Sequence, residues 1–118
     1  MRSVKTRLSL ALTCWLALAA VGAMAQTAPR VVEISAKRFE FAPKVITLKR
    51  GETVVLRLTS ADVTHGFYSK QLKIDEVIEP GKVVEVKLTP DTAGTYTVIC
   101  DHFCGSGHGN MKMQIVVE

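Results

Sequence analysis

From Val31 to Glu118 the apolar residues come in short runs that alternate with polar ones and are cut by turn signals, and no stretch sustains a helical period. A chain patterned at period two hides its apolar side chains only by pairing strands and covering the apolar face of the resulting sheet, so this stretch is predicted to be all-β. The clearest alternation is Thr53 to Ser60, with Val54, Leu56 and Leu58 on one face and Thr53, Val55, Arg57 and Thr59 on the other. Val84, Val86 and Leu88 repeat it against Glu85 and Lys87, and Met113, Ile115 and Val117 against Lys112, Gln114 and Val116. Val31 to Lys37, Phe39 to Phe41, Val45 to Leu48 and Thr95 to Cys100 complete the expected strands. Pro43 limits the residue before it to extended geometry. Lys49-Arg50-Gly51-Glu52 predicts a turn with a positive φ at Gly51, and Glu79 to Lys82 and Pro90 to Gly94 read as further turns. Several short antiparallel strands, each with one apolar face, predict a two-sheet sandwich.

The first 25 residues differ in kind. Arg2, Lys5 and Arg7 precede an acid-free apolar run from Leu8 to Val21, and Ala23-Met24-Ala25 supplies a small-x-small cleavage pattern. This predicts a signal peptide over residues 1–25, a lead-in over 26–30 and one domain over 31–118. The alternative is a retained anchor, since the apolar run approaches the length that spans a bilayer. The formal charge of +4 carries no partner signal, because three of the fifteen basic residues lie in the leader and the remaining twelve face eleven acids. They are dispersed singly, which argues against a nucleic-acid surface.

Of three cysteines, Cys100 and Cys104 follow the leader. In an oxidising compartment a disulfide is the plain reading of the pair. Its surroundings point elsewhere. Cys100-Asp-His-Phe-Cys-Gly-Ser-Gly-His-Gly-Asn-Met111 sets two thiols, an imidazole (His108) and a thioether (Met111) within twelve residues, and soft copper prefers such donors. Gly105, Gly107 and Gly109 allow a tight return toward one centre, and Met111 leads straight into the last strand, so sheet holds the loop at both ends. His65, in Asp62-Val63-Thr64-His65-Gly66-Phe67, is placed to add a second imidazole from the end of the Thr53 to Ser60 strand. Zinc on two cysteines and two histidines is the chemical rival. It leaves Met111 unused; copper accounts for more residues.

The spacing Cys, three residues, Cys, three residues, His, two residues, Met, together with the Asp62 to Phe67 segment, resembles the cupredoxin-like copper domains of cytochrome c oxidase subunit II and nitrous-oxide reductase, which carry the dinuclear CuA centre. The resemblance spans Phe39 to Glu118. It implies a Greek-key β-sandwich, two copper ions bridged by Cys100 and Cys104, His65 and His108 as one ligand to each, and weak contacts from Met111 and the His102 backbone carbonyl. At the His102 position the family commonly has glutamate, so the imidazole is a candidate for tuning the site or capturing copper.

The resulting expectation is a periplasmic one-electron carrier without substrate turnover, monomeric and not inserted in a membrane after cleavage. A cytochrome or terminal oxidase is its expected redox partner, met through an apolar patch including Phe67, Phe103 or Met111. The rival is a periplasmic chaperone or resistance protein that binds and delivers one Cu(I) to a copper-delivery partner. An enzyme is disfavoured, since the ligand set leaves no open position on the metal and no serine triad or carboxylate pair emerges.

Overall fold

The computed structural model describes residues 28–118. The expected leader over residues 1–25 lies outside them. The described chain forms strands β1 (Arg30–Lys37), β2 (Glu40–Ala42), β3 (Val45–Leu48), β4 (Val54–Ser60), β5 (His65–Ser69), β6 (Ile74–Ile78), β7 (Val84–Leu88), β8 (Gly94–Ile99) and β9 (Lys112–Val117), with one 3-10 turn at His108–Asn110. A four-stranded sheet runs β2-β1-β4-β7 and a five-stranded sheet runs β3-β9-β8-β5-β6. The predicted all-β sandwich is therefore observed. Sequence-adjacent strands repeatedly lie in opposite sheets, as at β2–β3, β3–β4, β4–β5, β6–β7 and β7–β8, which stitches the layers together.

Pairing differs from the antiparallel expectation at two places. β1 and β4 run parallel from Arg30↔Val54 to Ala36↔Ser60, and β3 and β9 run parallel from Val45↔Gln114 to Leu48↔Val117. A parallel pair needs a long crossover, and here the chain provides it by visiting the other sheet between the partners. β1 also begins at Arg30, inside the expected lead-in.

Two strands had no signal in the residue pattern. β5 reads His-Gly-Phe-Tyr-Ser, with few strand formers, and β6 places Asp75 and Glu76 beside the adjacent pair Val77-Ile78, which breaks the alternation. Elsewhere the predicted inward faces hold. Val54, Leu56 and Leu58 of β4 are buried, as are Met113, Ile115 and Val117 of β9. Val84 and Val86 are only half-buried, because β7 is an edge strand. Gly51 takes φ +80°, and its N–H donates to the Pro90 carbonyl at 2.6 Å, so the predicted turn also ties the β3–β4 and β7–β8 connections together.

The aromatic centre of the core is a T-shaped pair, Phe41 from β2 against Phe67 from β5, with ring centroids 5.5 Å apart and planes at 89°. This places Phe67 wholly inside (0% exposed), so it is withdrawn from the expected docking patch. Met111 is likewise buried, whereas Phe103 is 75% exposed. Removing the Phe41 ring leaves its partner facing a void. Phe41→Ala is expected to cost roughly 3–5 kcal/mol, seen as a lower urea midpoint at unchanged slope. Val45→Ala, at a side chain 54% exposed, is expected to shift stability by less than about 0.5 kcal/mol.

Candidate metal centre

Two arms of the chain meet at one end of the five-stranded sheet. The first is the start of β5, where His65 is fully buried. The second is the loop that leaves β8 at Cys100 and re-enters the sheet at β9. Their meeting depends on Gly66. A Cβ there would collide with the Asp101 side chain and sit 2.8 Å from the His102 backbone nitrogen, so only glycine lets the loop lie against β5. In this packing the Gly66 N–H donates to Cys100 Sγ at 3.3 Å. His65 thus arrives as the first residue of a strand in the same sheet as β8, rather than from the end of β4 as expected.

The Cys100 N–H donates to the Met111 carbonyl at 3.1 Å, closing the loop across its base. Inside it, Cys100 and Cys104 are free thiols with sulfurs 3.7 Å apart. Around them stand His65 Nδ1, 4.0 Å from Cys100 Sγ; His108 Nδ1, 3.7 Å from Cys104 Sγ; Met111 Sδ, 3.8 Å from Cys104 Sγ; and the His102 carbonyl oxygen, 3.1 Å from Cys100 Sγ. The one nitrogen and two sulfurs of His65, Cys100 and Cys104 all lie within 4.8 Å of one another. The His102 ring turns the other way: it is exposed, with Nδ1 3.2 Å from the Phe103 carbonyl. The sequence-derived residues are brought together, with His102 contributing an inward carbonyl and an outward imidazole.

Electrostatics follows from this packing. Burial, then the adjacent Cys100 thiol, pushes the Cys104 thiol up to about 11. Two thiolates in a dry pocket repel each other, and a bound cation removes that penalty by holding them deprotonated. Asp62, missed in the sequence, accepts a hydrogen bond from His65 Nε2 at 2.7 Å, which leaves Nδ1 to face Cys100. Burial lifts the Asp62 carboxyl, but the Arg38 backbone N–H, the His65 ring and the Val63 backbone N–H outweigh it and hold it at about 2. A carboxylate that fixes an imidazole tautomer is a recurrent support for metal ligands, and its position three residues before His65 was the available signal.

The donor set fits a soft metal: two thiols, two imidazoles, a thioether and a carbonyl, in a pocket where Cys100, Cys104 and Met111 are buried. A family model for the cupredoxin-like domain matches residues 8–117. The chain belongs to this family. It is 38% identical over 98 residues to a cytochrome c oxidase subunit 2 of Thermus thermophilus, covering 81% of this chain and 73% of that one. It is 30% identical over 91 residues to the nitrous-oxide reductase of Cupriavidus necator, covering 74% of this chain but only 14% of the reductase. Among solved structures, a chain of a heme-copper terminal oxidase dimer superposes with a TM-score of 0.69 at 29% identity, covering 75% of this chain and 65% of that one. The resemblance carried by the Cys100 to Met111 spacing is thus borne out, and this cupredoxin-like domain keeps its cysteines at the sheet end where the two arms meet.

If Asp62 orients His65, Asp62→Ala is expected to weaken Cu(I) binding about 10–100-fold, measured by competition with a Cu(I) chelator. An unchanged affinity would show that His65 needs no carboxylate behind it.

Proposed function

We propose that the chain is an exported, periplasmic one-electron carrier whose two copper ions are held by Cys100, Cys104, His65, His108, Met111 and the His102 carbonyl. The observation that carries this reading is the placement of both Nδ1 atoms and the thioether around the two buried cysteine sulfurs, in a chain similar to oxidase subunit 2 and nitrous-oxide reductase. The leader pattern of residues 1–25 supports export. Copper held by these residues would supply one-electron exchange between two oxidation states.

The protein's own contribution is placement. β5, β8 and β9 fix the ends of both arms, and the Gly66 and Cys100 N–H groups hold the loop from inside. Donors already assembled in the folded chain need little rearrangement when charge changes. The two imidazoles differ in access: His65 is sealed within the fold, whereas His108 is half-buried, with the Phe103 ring 6.0 Å away. A cytochrome or terminal oxidase meeting the Phe103 edge would exchange electrons beside His108. A small contact suffices for a transient redox encounter. No substrate turnover is assigned to the domain.

One observation favours a second reading, delivery of a single Cu(I) to a copper-accepting partner: the His102 imidazole stands exposed on the loop rim, where it could pass a metal inward. Reconstitution of anaerobically reduced protein separates the two. The carrier is expected to bind two coppers and give a delocalised mixed-valence electron paramagnetic resonance spectrum that both Cys100→Ser and Cys104→Ser abolish. One readily transferred Cu(I) with no such spectrum would establish the delivery reading instead. Because the His102 carbonyl, not its ring, faces Cys100, His102→Gln is expected to leave copper stoichiometry and the absorption spectrum unchanged; a lost or shifted spectrum would make the imidazole itself a ligand.

A further inference from the structure

The turn between β1 and β2 touches both arms of the metal centre, although it lies far from them in sequence. The Arg38 backbone N–H donates to Asp62 Oδ2 at 2.8 Å, and Asp62 in turn holds His65. The Arg38 side chain reaches the other arm, 66 residues away, where Nε donates to the Cys104 carbonyl at 2.9 Å. Next to it, the Phe39 ring packs against two glycines of the same loop. A Cβ on Gly105 would stand 2.8 Å from Phe39 Cε1, and one on Gly107 would overlap the ring, while Gly109 has open space around it. Gly105 also takes φ +140°, a conformation that side-chain-bearing residues rarely adopt.

These contacts are not explained by the core. Phe39 remains 37% exposed and Arg38 is exposed, so neither is buried to stabilise the sandwich. Their contacts fall instead on the residues that deliver the donors. Among the described residues no carboxylate forms an ion pair with the Arg38 guanidinium, leaving the Cys104 carbonyl as its hydrogen-bonded partner there.

We propose that Arg38 and Phe39 are positioning residues that clamp the His65 arm and the Cys104 to Met111 loop in register, so that the donors are assembled before metal arrives and release it slowly. The part concerning release rests on the copper reading above; the part concerning assembly does not. The glycine pattern then has a divided meaning. Gly105 and Gly107 make room for the Phe39 ring, and Gly66 makes room for the start of the loop.

Two measurements on the protein test this. In the metal-free form, Arg38→Met and Phe39→Ala are expected to speed backbone amide exchange over 104–111 about tenfold or more while β4 and β9 keep their protection. In the copper-loaded form, transfer of Cu(I) to a chromogenic chelator is expected to be about tenfold or more faster, as for removal of other groups that support metal ligands. Arg38→Lys keeps the charge but not the Nε donor and is expected to behave as Arg38→Met. Loop exchange at the original rate, exchange raised equally throughout both sheets, or original behaviour in Arg38→Lys would each overturn the clamp. Should Phe39→Ala not fold, Phe39→Leu, which keeps bulk without a flat ring, takes its place with the same expectation. If the unaltered protein binds no copper, the copper reading fails and loop exchange alone decides the clamp; if copper binds and loop exchange is unchanged, the clamp fails alone.

Discussion

The close approach of β5 to the first turn of the Cys100 loop is the contact on which the rest of the candidate metal centre depends. It exists because position 66 has no side chain: the backbone of Asp101 and His102 occupies the space a Cβ would need. Everything else is arranged around that approach. It brings the fully buried His65 to 4.0 Å from Cys100 and lets the Gly66 N–H point at the same sulfur. It also explains why β5 is nearly all buried although it contains His, Gly and Ser, since the loop covers part of the face that a sheet would otherwise show to water. A sandwich core held by Leu56, Leu58, Ile115 and the Phe41–Phe67 pair fixes the strands, and the loop is laid against β5, which is paired on both sides by β8 and β6.

How much of this was legible in the sequence depended on whether the cause was local. β4, β7 and β9 are visible because period-two alternation is a property of each strand alone. The turn at Gly51 was visible because positive φ favours glycine. β5 and β6 were not, since what makes them strands is pairing with each other from His65↔Ile78 to Ser69↔Ile74 and cover from a loop some 30 residues away. The two parallel pairings were hidden for a similar reason: alternation fixes which face is apolar but not the direction of the neighbour. Phe67 illustrates the limit in reverse. Its position beside His65 suggests a surface role, yet the inward face of β5 carries His65, Phe67 and Ser69 together, so the strand that begins with the candidate ligand His65 also commits Phe67 to the core.

The candidate ligands were legible because donor chemistry and spacing sit in one short segment. Their supports were not. Asp62 carried a weak signal through its offset from His65, whereas Arg38 and Phe39 carried none, because an arginine and a phenylalanine in a β-turn have no chemistry that points to a site elsewhere. The glycines of the loop serve different ends: Gly105 takes φ +140° and, with Gly107, leaves room for the Phe39 ring, whereas a Cβ on Gly109 would meet open space.

The arrangement also breaks the symmetry that the ligand list suggests. His65 is sealed in, hydrogen-bonded on its far nitrogen to a carboxylate held well below its ordinary range, and fixed at the start of a strand. His108 sits on a short 3-10 turn at the edge, half-buried, with its neighbour Phe103 projecting into solvent. Two imidazoles with equal roles in a list of donors therefore meet different surroundings: one is wholly buried, the other lies at a half-exposed boundary. On the proposed electron-carrier reading, a partner would come nearest to an imidazole beside His108, the less buried of the two. On that reading the β5 arm holds a donor in place, while the loop arm buries its sulfurs and brings one imidazole to the boundary.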